Sequence, residues 1–158
     1  MKIIVDAFGG DNAPLEIIKG AMLAVEEYGI DVILVGNKEK ISECIEKNNI
    51  KLKNTELVDA ECEITMCDDA KSVLKEKADS SLGIAFRLLA DGKGDALVSA
   101  GSTGAITVGA TFLAKRIKGV KRPCIASVMP SAKNPVLLMD CGANAECRAE
   151  FLYQFGLM

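Results

Sequence analysis

The sequence contains no histidine and no tryptophan, and only 4% of its residues are aromatic. Without histidine there is no Ser-His-Asp or Cys-His catalysis, no His-ligated zinc or haem, and no side chain that ordinarily titrates near neutrality. Any chemistry must use Asp, Glu, Lys, Cys, Ser or backbone groups. The scarcity of aromatics argues against a stacking platform for single strands, and a net charge of −3 with a pI near 5.1 argues against nucleic acid as a partner. No C-x-x-C pair occurs among the six cysteines at positions 44, 62, 67, 124, 141 and 147. The apolar run Met1–Val5 is too short for a secretory signal. The cysteines therefore read as reduced cytosolic thiols that act as small hydrophobes, with a Cys-only metal site as the lesser reading.

What is present is an ordinary globular composition. The 158 residues are 49% hydrophobic and 26% charged, enough for one domain or part of a larger one. A chain of this size buries roughly 70% of its unfolded surface. Ala96–Ala114 is free of charge over 19 residues, but eight of them are Gly, Ser or Thr. It reads as strand, glycine turn and helix rather than as a membrane span.

Apolar runs predict strands at Lys2–Phe8, Asp31–Gly36, Thr55–Ala60, Asp95–Ala100, Cys124–Met129 and Val136–Asp140. Helical spacing predicts helices at Leu15–Tyr28, from Asn37 to about Lys47, Ala70–Lys77, Ser81–Ala90, Ala105–Arg116 and from Glu146 onward. Asn12 or Asp11 is placed to cap the first helix and Ser80 or Ser81 a later one. Glu61–Asp69 alternates and suits an edge strand. The order predicts an α/β fold, a layered and mostly parallel sheet with helices on both faces. Phe151, Leu152, Tyr153, Phe155, Leu157 and Met158 crowd the last eight residues. That reads either as a buried terminal helix or, preferably, as a chain that continues into a larger fold.

Ligands of open α/β sheets bind outside the carboxyl ends of the strands. Three glycine-bearing loops follow predicted strands: Gly9–Asn12, Gly101–Gly104 and Gly142–Asn144. On one sheet edge they would make one crevice. Gly101-Ser102-Thr103-Gly104, running into a helix, offers backbone N–H groups and two hydroxyls to an anion such as phosphate, although a capped turn explains it as well. Asp6 and Asp11 flank Gly9-Gly10 and could orient a ligand or take a proton; capping is the plainer role for Asp11. Asp140, Gly142 and Asn144 form the third loop, where Asn144 offers donor and acceptor or simply tolerates a left-handed turn. Lys75, Lys77, Asp79, Ser80 and Ser81 read as a solvated break between helices. Lys115, Arg116, Lys118, Lys121 and Arg122 complement a helix C-terminus or dock an acidic partner. Cys141 beside the third loop lacks a base to activate it. No P-loop and no dinucleotide fingerprint is present, which weakens a nicotinamide dehydrogenase.

Together DAFGGDNAP, KADSS, SAGSTGA, Arg122-Pro123 and MDCGANAEC resemble the bacterial phosphate acyltransferases of phospholipid synthesis over nearly the whole chain. The resemblance implies an enzyme that makes acyl phosphate from acyl-acyl-carrier protein and inorganic phosphate without cofactor or metal. It implies a fold similar to those of isocitrate and isopropylmalate dehydrogenases and phosphotransacetylases. It also implies a cytoplasmic homodimer peripheral to the membrane, with 1–158 as the amino-terminal α/β part of a longer enzyme truncated at its carboxyl end. Family members commonly carry Asn where this chain has Ser102. On this reading Asp11, Thr103 and Asn144 are catalytic. Asp6, Gly9, Gly10, Gly101, Ser102, Gly104, Arg122, Asp140 and Gly142 bind phosphate or substrate. A phosphotransacetylase-like enzyme using coenzyme A and a non-catalytic anion-binding module are the alternatives.

Overall fold

The computed structural model describes residues 1–158, which divide into two compact units, Met1–Lys115 and Arg116–Met158. In the first unit β1 (Lys2–Asp6), β2 (Asp31–Gly36), β3 (Thr55–Asp59) and β4 (Ala96–Val98) form one parallel sheet in the order β3-β2-β1-β4. The apolar runs of β1 and β2 are buried on both faces, as continuous rather than alternating hydrophobicity requires. Ile3, Val5, Val32 and Leu34 face α1 (Leu15–Tyr28) and α2 (Lys38–Lys47), packing on Ile18, Met22, Val25 and Ile41. Ile4, Ile33 and Val35 face the opposite side, where α3 (Ser81–Ala90) contributes Ala85. A third cluster joins Ile64, Val73, Leu82 and Phe86 to Ala105 of α4 (Thr103–Gly109). The layered α/β fold is therefore present in this unit.

Local chemistry accounts for most helix ends. Asn37 accepts from Lys40 N at 3.0 Å at the start of α2, and fully buried Ser80 accepts from Gly83 N at 3.2 Å at the start of α3. Gly29 adopts the left-handed conformation (φ 62°) that closes α1. Neither Asn12 nor Asp11 caps α1. Pro14 holds the cap position with no side-chain acceptor, and only the Asn12 carbonyl receives Glu16 N.

Several expected elements differ. Glu61–Asp69 forms no strand beyond one bridge between Cys62 and Ser80, because Asp68 folds back onto Thr65 in a tight turn. The helix expected at Ala70–Lys77 is a 3₁₀ turn over Ala70–Leu74. The one expected at Ala105–Arg116 is α4 followed by a wider π-type turn, Ala110–Ala114. There Thr107 and Thr111 donate their hydroxyls to carbonyls four residues back and compete with the regular ladder. Lys115 (φ 70°) ends it.

In the second unit β5 (Ala126–Met129) and β6 (Val136–Met139) pair antiparallel as a two-stranded sheet of their own. The short link from Pro130 to Pro135 cannot make a parallel crossover, which needs a dozen residues or more. The mostly parallel sheet thus ends with β4, and the third glycine loop follows a strand outside it. The helix expected from Glu146 begins at Ala149, as α5 (Ala149–Leu157). No helix is long and apolar enough to cross a membrane.

Candidate functional site

Parallel neighbours deliver their carboxyl-end loops to the same edge. β1 and β4 are paired in register, Val5 with Val98, so the chain leaves both strands side by side into Gly9–Asp11 and Gly101–Gly104. The two loops are locked by a relay. Gly101 N donates to Ser99 Oγ at 3.1 Å, and Ser99 Oγ donates to Asp6 Oδ2 at 2.7 Å. Asp6 is 3% exposed, and its second oxygen accepts from Phe8 N at 3.3 Å. Asp6 is thus a buried brace at the floor rather than a group open to ligand.

Gly9 sits against this relay. A Cβ there would lie 2.5 Å from Ser99 Oγ, 2.7 Å from Asp6 Oδ2 and 2.9 Å from Gly101 N. Gly10 has φ 113°, a conformation side chains rarely adopt, and passes against Ala100. Two glycines in succession therefore let the first loop lie on the second.

Above this floor is a cavity of about 270 Å³. Gly10, Asp11 and Gly101 wall it from the glycine loops; Glu63, Thr65 and Met66 wall it from the segment after β3. At about 30 Å³ per water it has room for a small anion and part of a second reactant. Asp11, with no helix to cap, presents an exposed side chain there. Gly101 N is engaged by Ser99, so the donors left to this edge are those of the first turn of α4, where the Thr103 and Gly104 N–H groups have no intrahelical acceptor. Thr103 and Gly104 are exposed. Ser102 caps α4, its Oγ accepting from Ala105 N at 3.4 Å, which leaves its own proton free to donate.

A second cavity of about 310 Å³ shares Phe8, Glu63 and Thr65 with the first and reaches Lys40 and Lys77. Lys40 Nζ lies 5.6 Å from the centre of the Phe8 ring. Cys62 also lines it, and burial pushes its thiol up from the ordinary value. It is therefore no ready thiolate nucleophile. The walls offer carboxylates, ammonium groups and hydroxyls that can hold and orient a ligand, and no cluster of three or more Cys, Asp or Glu is arranged for a metal.

Asp68 braces the wall segment. Hydrogen bonds from Lys77 and from the Thr65 N–H and hydroxyl hold its carboxyl at about 2. Its folded value lies below the ordinary one of about 4, so the stability it adds is complete above pH 4 and is lost as pH falls toward 2. Asp68→Asn should flatten the acid limb of a urea-midpoint profile between pH 4 and 2; an unchanged acid limb would contradict this.

The second unit contains Arg122, Asp140, Gly142 and Asn144. Asp140 Oδ1 accepts from Ile125 N at 2.7 Å and Oδ2 from Asn144 N at 2.7 Å. Burial would raise its carboxyl, but these donors and Ala143 N outweigh it and hold the group below the ordinary value. The Asn144 Nδ2 group donates to Pro123 O at 2.9 Å and to Asp140 at 3.2 Å. Only its Oδ1 is left for a ligand. Gly142 (φ 102°) makes the turn between them. The Arg122 guanidinium lies 5.8 Å from the Phe151 ring centre. Burial first, then Asp140 and Cys147, raise the Cys124 thiol.

The structure thus brings Asp6, Gly9, Gly10, Asp11, Gly101, Ser102, Thr103 and Gly104 to one sheet edge in the first unit. The four remaining expected residues belong to the second. Sequence reasoning missed Ser99 and the wall from Glu63 to Met66. Ser99 is visible as the strand-end residue of SAGSTGA; the alternation of the wall segment signals an edge strand and not a site. Ser99→Ala orphans buried Asp6 Oδ2 and the Gly101 N–H, for an expected cost of about 1–3 kcal/mol in urea unfolding. A cost below 0.5 kcal/mol would remove the relay from the account.

The sequence model of the family described as "Fatty acid synthesis protein" matches residues 1–158. The chain is 43% identical over 159 aligned positions to the phosphate acyltransferase of Clostridium botulinum (strain Loch Maree / Type A3), covering 100% of this chain and 48% of that protein. It is 43% identical to that of Dictyoglomus turgidum and 45% identical to that of Pelotomaculum thermopropionicum, each over the whole of this chain and 47% and 46% of the relative. The chain spans about half the length of the curated relatives it matches. A match over every residue, with the glycine loops meeting at one sheet edge, places the chain in the fatty acid synthesis protein family.

Proposed function

We propose that the chain is the amino-terminal half of a phosphate acyltransferase, which transfers an acyl group from acyl-acyl-carrier protein to inorganic phosphate for phospholipid synthesis. The observation that carries this is the cavity where the loops after β1 and β4 meet at Gly10, Asp11 and Gly101; α4, whose first-turn N–H groups lack intrahelical acceptors, starts two residues after Gly101. The relatives named phosphate acyltransferase support it.

Phosphate needs no enzyme nucleophile. One of its oxygens attacks the thioester carbonyl carbon, the tetrahedral oxyanion collapses, the C–S bond breaks and the thiol leaves with a proton. Catalysis then rests on holding the two reactants together and stabilising the oxyanion. Thr103, Gly104 and Ser102 supply N–H and O–H donors to phosphate. Gly9, Gly10 and Gly101 shape the floor, and Asp11 orients phosphate or takes its proton. In the second unit Asn144 Oδ1 and Arg122 are assigned to substrate, with Asp140 and Gly142 holding their loop. The cytoplasmic homodimer, peripheral to the membrane, belongs to the same proposal.

The test is acyl phosphate formation by the full-length protein, trapped as hydroxamate, with acyl-acyl-carrier protein and acyl-coenzyme A as rival donors. Turnover with the carrier donor is expected. Turnover with coenzyme A alone would point to a phosphotransacetylase-like enzyme, and phosphate binding without turnover to a binding module.

A further inference from the structure

The segment Glu61–Asp69 supplies one wall of the phosphate cavity, yet it belongs to no strand or helix. Two things hold it. Ile64, 8% exposed, is pinned among Val73, Leu82, Phe86 and Ala105. The polar side is held by one ammonium group. Lys77 Nζ donates to the Glu63 carbonyl at 2.9 Å and to Asp68 Oδ2 at 2.7 Å. The same Asp68 oxygen receives Thr65 N at 2.6 Å and Thr65 Oγ1 at 2.8 Å. Glu63, at one end of the wall, and Asp68, two residues beyond the other, are thereby tied to one point.

This ion pair differs from the others. Its side chains are 29% and 23% exposed, whereas every partner in the other five pairs is at least 40% exposed. Pairs open to water contribute little; a sheltered pair with added hydrogen bonds is worth more. Lys77 also lines the second cavity, so it stands where the shared wall meets both.

We propose that Lys77 is a positioning residue of the anion site: by holding the Glu63 carbonyl and the Asp68 carboxylate at once, it sets the Glu63–Met66 wall against the glycine loops. The inference rests on the phosphate reading of that cavity. Lys77 is absent from the lining of the phosphate cavity and lines only the second one. Its removal loosens the wall while the Ile64 anchor keeps the segment attached, so the loss falls on phosphate capture rather than on the chemical step.

The test uses the full-length protein, inorganic phosphate as the varied substrate and hydrogen exchange at Thr65 N–H. Lys77→Met should raise the phosphate KM by about tenfold, equivalent to about 1.4 kcal/mol, and leave kcat within about twofold. Thr65 should lose exchange protection. Lys77→Arg keeps a cation with several donors and should recover most of the KM. Asp68→Asn should raise KM in the same direction, and the double variant should be no worse than Lys77→Met alone. Asp68→Asn also decides the matter should Lys77→Met fail to fold. A phosphate KM equal to the parent's, or equal loss of kcat with no recovery by arginine, would overturn the inference. A parent protein that neither binds phosphate nor forms acyl phosphate would instead overturn the functional reading beneath it.

Discussion

Gly9→Ala is expected to cut phosphate-dependent turnover by on the order of 100-fold and to lower stability. The added methyl would meet the Ser99 hydroxyl, the Asp6 carboxylate and the Gly101 amide nitrogen, all within 2.9 Å. None is the end of a flexible chain. Asp6 is buried, Ser99 joins it to the second loop and Gly101 N is backbone. To admit the methyl, the loops must separate and break the relay. Overpacking of this kind costs about 1–3 kcal/mol, and a site misplaced by about 1 Å loses on the order of 100-fold in rate. Gly20→Ala is the control. It lies on an exposed helix position with nothing within 4 Å of the added carbon, and should be neutral or stabilise by about 0.5–1 kcal/mol. Thermal melts and phosphate titrations of the two variants separate a local clash from a general intolerance of alanine.

Asp140→Ala should have the largest effect in the second unit. One carboxylate there gathers Ile125 N, Asn144 N and Asn144 Nδ2. Alanine leaves both backbone donors without an acceptor and frees the amide that also holds Pro123 O. With the group partly exposed, the expected loss is about 2–3 kcal/mol. Hydrogen exchange at Ile125 and Asn144 reads it locally; protection equal to the parent's would contradict it. The pH dependence has a definite sign. The folded carboxyl lies below its ordinary value, so its contribution is present above about pH 4 and is lost as pH falls further. Asp140→Asn, which keeps one acceptor, should fall between parent and alanine and lose this acid dependence.

These two residues show what sequence reasoning can reach. β1 and β2 were legible because their apolar runs are unbroken, and α2 and α3 because Asn37 and Ser80 precede them. The meeting of the first two glycine loops follows from parallel strands placed side by side. The Asp6–Ser99 bond was not legible, because it joins residues 93 apart in sequence and depends on which strands neighbour each other. Alternation in Glu61–Asp69 suggested a strand, yet the Thr65–Asp68 turn and the Lys77 tie use the polar groups that a ladder needs. Capping looked the plain role for Asp11, but Pro14 holds that position and leaves the carboxylate to the cavity. The β5–β6 hairpin was deducible from the short link between its strands; its apolar runs alone read like the parallel strands before them.

The most direct measurement is the phosphate saturation curve for acyl phosphate formation by the full-length protein, taken beside the same curve for Gly9→Ala. Saturable turnover in the parent and its collapse in the variant, with the variant still folded by circular dichroism, is the predicted result. Equal turnover in both proteins at every phosphate concentration would show that the meeting of the two glycine loops is not where phosphate is held.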